Sequence, residues 1–246
     1  AADSLKAQET PDIRIYLITC GPGTETYSIY GHSALRVVIP ERELDLVYNW
    51  GVFDFSTPNF VWKFAKGRLQ YMLDETSFNS FQQVYFLEQR WLQIQEINLE
   101  PAEKMLLLQL ISDNLKPENV KYLYDFFYDN CSTRIRDILE KSIGEKIFFN
   151  PEEPAKRKTF RLLIREYQRR YPWRNFGIDL LLGTPVDKKA DSQNRMFLPL
   201  EMQKELSGAL INRNGKMIPL LKNPETLLDF PEPQSKQLFY TSPTFV

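Results

Sequence analysis

The sequence predicts a mixed α+β fold, and three observations carry that prediction. Five short apolar runs, at 13–20, 32–39, 44–50, 69–75 and 92–99, have the length and β-branched content of strands. Between and after them lie segments with helical three-and-four spacing and recognisable caps. Half of the ten glycines (Gly21, Gly23, Gly31, Gly51 and Gly67) fall between 21 and 67, which marks unusual backbone geometry in the strand-rich part. A chain of 246 residues can bury one large core. The expected organisation is a single α+β domain over 1–246, with a core at about 13–150 and a helical and hairpin extension at about 151–246.

IRIYLITC (13–20), HSALRVVI (32–39) and LDLVYNW (44–50) read as three strands, the last two joined by the polar turn Pro40–Glu43. Between the first two runs GPGTETYSIYG (21–31), too long for a hairpin turn and therefore a candidate functional loop. Thr57-Pro58 reads as an N-cap followed by proline at the first helical position, with Gly67 as the stop. LQYMLDE (69–75) follows as a strand, 77–89 as a helix and 92–99 as a strand, and Pro101 opens an amphipathic helix that ends near Lys116-Pro117.

In 122–144, Asp129 or Asn130 caps a helix whose Ile135, Ile138, Leu139 and Ile143 share one face, and Gly144 ends it. Further on, 159–170 reads as a basic helix, FGIDLLLG (176–183) as a short apolar segment and LPLEMQKEL (198–206) as a helix. INRNGKMIPL (211–220) reads as a hairpin turning at Asn214-Gly215. The proline-punctuated end, from Asn223, reads as irregular.

Composition removes several function classes. Lys and Arg number 31 against 32 Asp and Glu, so no global field draws the chain to nucleic acid. Two cysteines, Cys20 and Cys131, allow one bridge but no disulfide framework and no CxxC site. With His32 the only histidine, a His-rich metal site is excluded, and the expected chemistry needs no metal or organic cofactor. The densest apolar stretch, 105–111, is too short to cross a bilayer, and the opening AADSLKAQETPD fits a mature domain cut from a secreted or anchored precursor.

Cys131 is the most informative residue. In the first turn of a helix its sulfur meets unpaired N–H groups and the positive end of the macrodipole, which favour the thiolate. The alternative is a buried structural cysteine. His32, opening a strand after a glycine-bearing loop, is the one imidazole able to take the thiol proton; the alternative is a packed, hydrogen-bonded histidine. Asn49 is the candidate that orients the imidazole through its amide oxygen, with Asp54 as the alternative. Tyr27, Ser28, Tyr30, Asn130 and Arg134 are the candidate substrate-binding residues. Phe53, Phe55, Phe126, Phe127 and Tyr128 flank the same stretches, as groove lining or as ordinary core.

Two further features stand out. Cys20 ends a strand near the loop that leads to His32, and a Cys20–Cys131 bridge would silence the nucleophile. The run from Lys156 to Arg174 holds eight basic side chains against the single acid Glu166: a solvated helix face, or a patch for phosphate headgroups at a membrane surface.

Taken together, YSIYGHSALRV (27–37), YNWGVFDF (48–55), YDFFYDNCSTRIRD (124–137), GIDLLLGTPVD (177–187) and MFLPLEM (196–202) resemble the Lnb N-terminal periplasmic domain family of Bacteroidota and relatives. GHSALR followed by DNCSTR is the specific part. The resemblance implies a circularly permuted papain-like (NlpC/P60-like) core: an antiparallel sheet with the nucleophile helix packed on it, the histidine strand preceding the cysteine helix, and helical C-terminal additions. It implies Cys131 as nucleophile and His32 as base, a periplasmic and membrane-associated setting, and phospholipid and lipoprotein substrates. The implied reaction is N-acylation of lipoproteins through a thioester on Cys131. An amidase acting on cell-wall peptides with the same pair, and a non-catalytic module binding an anionic partner through 156–174, are the competing readings.

Overall fold

The computed structural model describes residues 11–25, 27–53, 58, 69–150 and 153–233. The helix expected between Thr57 and Gly67, together with Asp54 and Phe55, lies outside the described residues.

A seven-stranded antiparallel sheet organises the fold. Its strands are β1 (Arg14–Cys20), β2 (His32–Ile39), β3 (Leu44–Phe53), β4 (Gln70–Ser77), β5 (Leu92–Glu96), β6 (Lys121–Leu123) and, from the far end of the chain, β10 (Glu225–Leu228). They lie in the order β10-β5-β1-β2-β3-β4-β6. A small three-stranded sheet joins β7 (Ile147–Phe148) to the hairpin of β8 (Leu210–Arg213) and β9 (Lys216–Pro219). That hairpin turns through Asn214 and Gly215, both at positive φ (52° and 86°), the geometry an Asn-Gly pair supplies at least cost.

The helices are α1 (Phe78–Leu87), α2 (Pro101–Leu115), α3 (Cys131–Ile143), α4 (Phe160–Gln168), α5 (Pro172–Leu182), the single turn α6 (Ser192–Arg195) and α7 (Pro199–Gly208). Ser77 caps α1, a capping box of Glu100 and Glu103 opens α2, and Thr159 caps α4, each where the sequence places a helix start.

Both faces of the central sheet carry buried apolar residues, more continuously on the face of the main core. Leu35, Val37 and Ile39 of β2 enter the main core with Trp50, Leu107, Ile135, Leu139 and Met202. Ala34, one position off, joins Ile18, Val47, Phe81 and Leu92 beneath α1. A third cluster packs α4 and the α5 residues Ile178 and Leu182 against Ile29 and Tyr30 of the loop before β2, and against Phe126 and Phe127 before α3.

Two expectations need correction. FGIDLLLG is not a short isolated segment but most of α5, whose start is the proline at its first position, Pro172, and which Gly183 stops. The chain from Asn223 is not irregular throughout, because Glu225–Leu228 pairs with β5 as an edge strand, where flanking prolines remove no needed ladder bond. The brief strands β6 and β7 lack a periodic signal because a two- or three-residue pairing has too few positions to show one.

Candidate active site

Three elements converge on one point. Gly31 ends the loop at φ 81°, and a β-carbon there would stand 2.7 Å from the Cys20 carbonyl oxygen, so only glycine lets the chain turn into β2. His32 is the next residue and pairs with Cys20 across the β1–β2 ladder. Leu35 of β2 pairs with Tyr48 of β3, which puts Asn49 one position further toward the His32 end. There the His32 Nε2 lies 2.5 Å from the Asn49 Oδ1. An amide oxygen only accepts, so Nε2 carries the proton and Nδ1 is left as the nitrogen for the thiol.

Cys131 is the first residue of α3. Asn130 Oδ1 accepts the N–H groups of Ser132 (2.8 Å) and Thr133 (3.0 Å), and the Thr133 hydroxyl accepts the Asn130 N–H (2.8 Å). This cap engages the N–H groups of Ser132 and Thr133 and not that of Cys131, which stands at the positive end of the helix. Ile135, Ile138, Leu139 and Ile143 hold the other face of α3 in the core, so the position of its first turn is set by packing.

The Cys131 thiol and the His32 imidazole are close enough for each to shift the other's ionisation, and both are half-buried. Burial opposes ionisation of the thiol. The positive charge of the nearby His32 outweighs it, with the Ser33 backbone N–H and the Ser132 hydroxyl adding to the effect, and Cys131 falls below an ordinary thiol. Burial likewise opposes the imidazolium. The Cys131 charge and the Asn49 amide reverse that, and His32 is raised above the ordinary imidazole value. Each partner favours the charged form of the other, as in a thiolate–imidazolium pair.

Gly51 forms the floor beside the sulfur. It sits at φ 93° where the β3–β4 register shifts between Trp50 and Val52, and a β-carbon there would lie 3.7 Å from the Cys131 Cβ. Tyr122 and Tyr124 are pushed well above the ordinary phenol range, chiefly by burial and then by the Cys131 charge. Arg134 lies 3.7 Å over the Tyr122 ring, and Tyr71 stacks on Tyr124 at 4.3 Å. These tyrosines and Gly51 escape sequence reasoning: apart from the short aromatic-rich stretch before Cys131, nothing local ties β4 and β6 to the helix cap.

The candidate substrate-binding residues divide. Tyr27 is 60% exposed and meets Phe53 edge-on at 6.3 Å. Ser28 is buried and its hydroxyl donates to the Glu25 carbonyl at 3.1 Å. Tyr30 is buried, its hydroxyl accepting from the Gln168 amide and its ring against Phe126. Besides capping α3, Asn130 donates to the Phe126 and Phe197 carbonyls (2.7 and 2.9 Å). Arg134 is clamped by both Asp129 oxygens at 2.5 and 2.8 Å. The polar atoms of Ser28, Tyr30 and Asn130 are thus engaged by protein partners.

Cys20 and Cys131 are free thiols. Cys20 is fully buried, and burial pushes its thiol up to about 12. The basic run is less positive in space than in sequence. Lys156 pairs with Glu153, Lys158 with Glu166, Arg161 with Asp179 and Asp187, Arg165 with Asp179 and Arg170 with Glu232. Among the described residues no group of three or more His, Cys, Asp or Glu is placed to hold a metal ion, and no helix is long and apolar enough to cross a membrane.

A family model described as Lnb N-terminal periplasmic domain matches residues 3–166, more than half of the chain and the part that carries His32, Asn49 and Cys131. No curated protein and no solved structure matches.

Proposed function

The chain belongs to the Lnb N-terminal periplasmic domain family, and from that premise we propose that it is a thiol acyltransferase that moves an acyl chain from a phospholipid to the α-amine of a lipoprotein. The observation that carries the reading is the grouping of Asn49, His32 and Cys131, with the amide 2.5 Å from one ring nitrogen and the thiol and imidazole each favouring the charged form of the other.

In the first half-reaction the Cys131 thiolate attacks the ester carbonyl carbon of the lipid. A carbon–sulfur bond forms, and the carbonyl electrons move to an oxyanion, which the Cys131 N–H at the helix N-terminus is placed to stabilise. As the carbon–oxygen bond to glycerol breaks, the His32 imidazolium gives its proton to the leaving oxygen, and a thioester and a lysolipid result. In the second half-reaction the α-amine attacks the thioester and the neutral imidazole takes the amine proton. The carbon–sulfur bond breaks, and the thiolate–imidazolium pair is restored. Asn49 keeps the ring from rotating between the two steps.

The reading includes the permuted papain-like core, in which the histidine strand precedes the cysteine helix, and association with a membrane in the periplasm. Incubating the protein with a phospholipid of defined acyl chains and weighing it intact is the direct test. An adduct of one acyl group, absent in Cys131→Ala and removed by hydroxylamine, is expected. A Cys131→Ala protein that transfers acyl groups at the wild-type rate overturns the proposal. Release of peptides from cell-wall fragments without any lipid adduct makes the protein an amidase.

A further inference from the structure

Helix α5 carries large apolar side chains on its outer face. Trp173, Phe176 and Leu180 recur at three and seven positions and are 47%, 54% and 75% exposed. The first two rings meet edge-on at 6.3 Å. The opposite face of the same helix, through Ile178 and Leu182, is packed into the third core. The stripe is therefore an addition to a helix already anchored, and core packing does not require it.

Neighbouring α4 repeats the arrangement with charge. Phe160, Leu163 and Ile164 point inward, while Leu162, Arg165 and Arg169 are exposed at the same three-and-seven spacing. Arg165 is bonded to Asp179 of α5 at 2.8 Å, which ties the basic edge of one helix to the other. The result is an apolar ridge with guanidinium groups at its margin and an amphipathic indole at one end, the distribution of a helix lying in a membrane interface.

The position of this face relates it to the catalytic pair. The third core joins α4 and α5 directly to Tyr30, two residues before His32, and to Phe126 and Phe127, just before the Cys131 helix. Beside it, a cavity of about 370 Å³ is lined by Arg169 and Arg170 together with Glu166, Glu201 and Glu232, and by Ile29 and Leu200 from the loop side. Leu200 also stands 3.8 Å from where a β-carbon of Gly31 would be.

We infer that the outer face of α4 and α5 is a docking surface for an anionic phospholipid bilayer, with Trp173, Phe176 and Leu180 entering the interface and the exposed Arg169 meeting lipid phosphates. The inference deepens the phospholipid-donor reading and rests on it for its purpose, though not for its test. A second copy of the chain is the poorer occupant. A two-fold contact through this face would set it against itself and bring Arg169 close to the same residue of the copy. A lipid phosphate surface offers the opposite sign.

The test is co-sedimentation of the full chain with vesicles of phosphatidylcholine, alone or mixed with phosphatidylglycerol. Wild type is expected to bind the mixed vesicles more strongly than the neutral ones. Replacing all three apolar residues (Trp173→Ser, Phe176→Ser, Leu180→Ser) is expected to weaken partitioning by about tenfold or more. All three are exposed, so the thermal unfolding midpoint should not fall. Arg169→Glu, a single exposed charge, should weaken binding to the mixed vesicles only. Equal vesicle binding by wild type and the triple variant overturns the inference, as does a wild-type dimer in vesicle-free solution that the triple variant abolishes. If the triple variant still forms the Cys131 adduct from lipid dispersed in detergent, the chemistry stands whatever the vesicle result. Vesicle binding without any adduct sinks the chemistry and leaves the surface.

Discussion

His32 Nε2 and Asn49 Oδ1 lie 2.5 Å apart across neighbouring strands, and that contact decides which ring nitrogen faces the sulfur. Because the amide is neutral, it orients the imidazole without fixing it in the charged form as strongly as a carboxylate would. Asn49→Ala is expected to lower acyl transfer by about tenfold or more, since a freely turning ring forfeits part of the acid–base contribution. The pH–rate profile adds a sign. His32 is raised in the folded protein in part by Asn49, so the alanine variant should lose activity at a lower pH on the alkaline side. Asn49→Asp should move that limb upward.

The two thiols should differ sharply toward iodoacetamide. Cys131 is half-buried and lowered, whereas Cys20 is fully buried and pushed up to about 12. Peptide mapping after brief treatment near neutral pH is expected to find label on Cys131 alone. Cys20 should label only after unfolding. Equal labelling of both in the native protein contradicts the placement of Cys20 behind the site.

Gly31 and Gly51 both hold positive φ at the site, yet they should fail differently. Alanine at 31 meets the Cys20 carbonyl oxygen at 2.7 Å, backbone against backbone, so strand β2 must move and carry His32 with it. Alanine at 51 has room, with Cys131 at 3.7 Å, and suffers from its backbone angle alone, at about 1–3 kcal/mol. Chemical denaturation should therefore show the larger loss for Gly31→Ala, accompanied by slower alkylation of Cys131. A Gly31→Ala protein as stable and as reactive as wild type excludes this account of the turn.

Asn130 joins the helix cap to the Phe126 and Phe197 carbonyls. Asn130→Ala should cost about 1–2 kcal/mol for the cap, with more for carbonyls left buried without donors. Asn130→Asp keeps both acceptor bonds but has no donors for the two carbonyls, so it is expected to recover only part of the loss. Urea denaturation of the three proteins measures the difference.

Much of this site was legible because its signals are local. A cap residue followed by a three-and-four apolar pattern puts Cys131 at a helix start, and a lone histidine after glycine at the head of an apolar run has one evident use. Local patterns cannot reveal partners from distant stretches. The carbonyl of Phe197 that occupies Asn130 is 67 residues away, which is why Asn130 reads as a substrate contact in sequence and as a structural joint in space. The acids that neutralise much of the basic run, Asp179, Asp187 and Glu232 among them, follow that run in the chain. Gly51 and Tyr122 reach Cys131 through strand register, which no periodicity encodes. The edge strand β10 was hidden by its prolines.

The claim on which the chemistry depends is that His32 turns the Cys131 sulfur into a nucleophile, and the pH dependence of Cys131 alkylation in wild type and in His32→Ala tests it most directly. In wild type the midpoint of the rise in rate should lie below the ordinary thiol value of 9.0. Without the imidazole, burial should dominate, so the rise should move above that value and the rate near neutral pH should fall by about tenfold or more. Superimposable profiles for the two proteins would contradict the account.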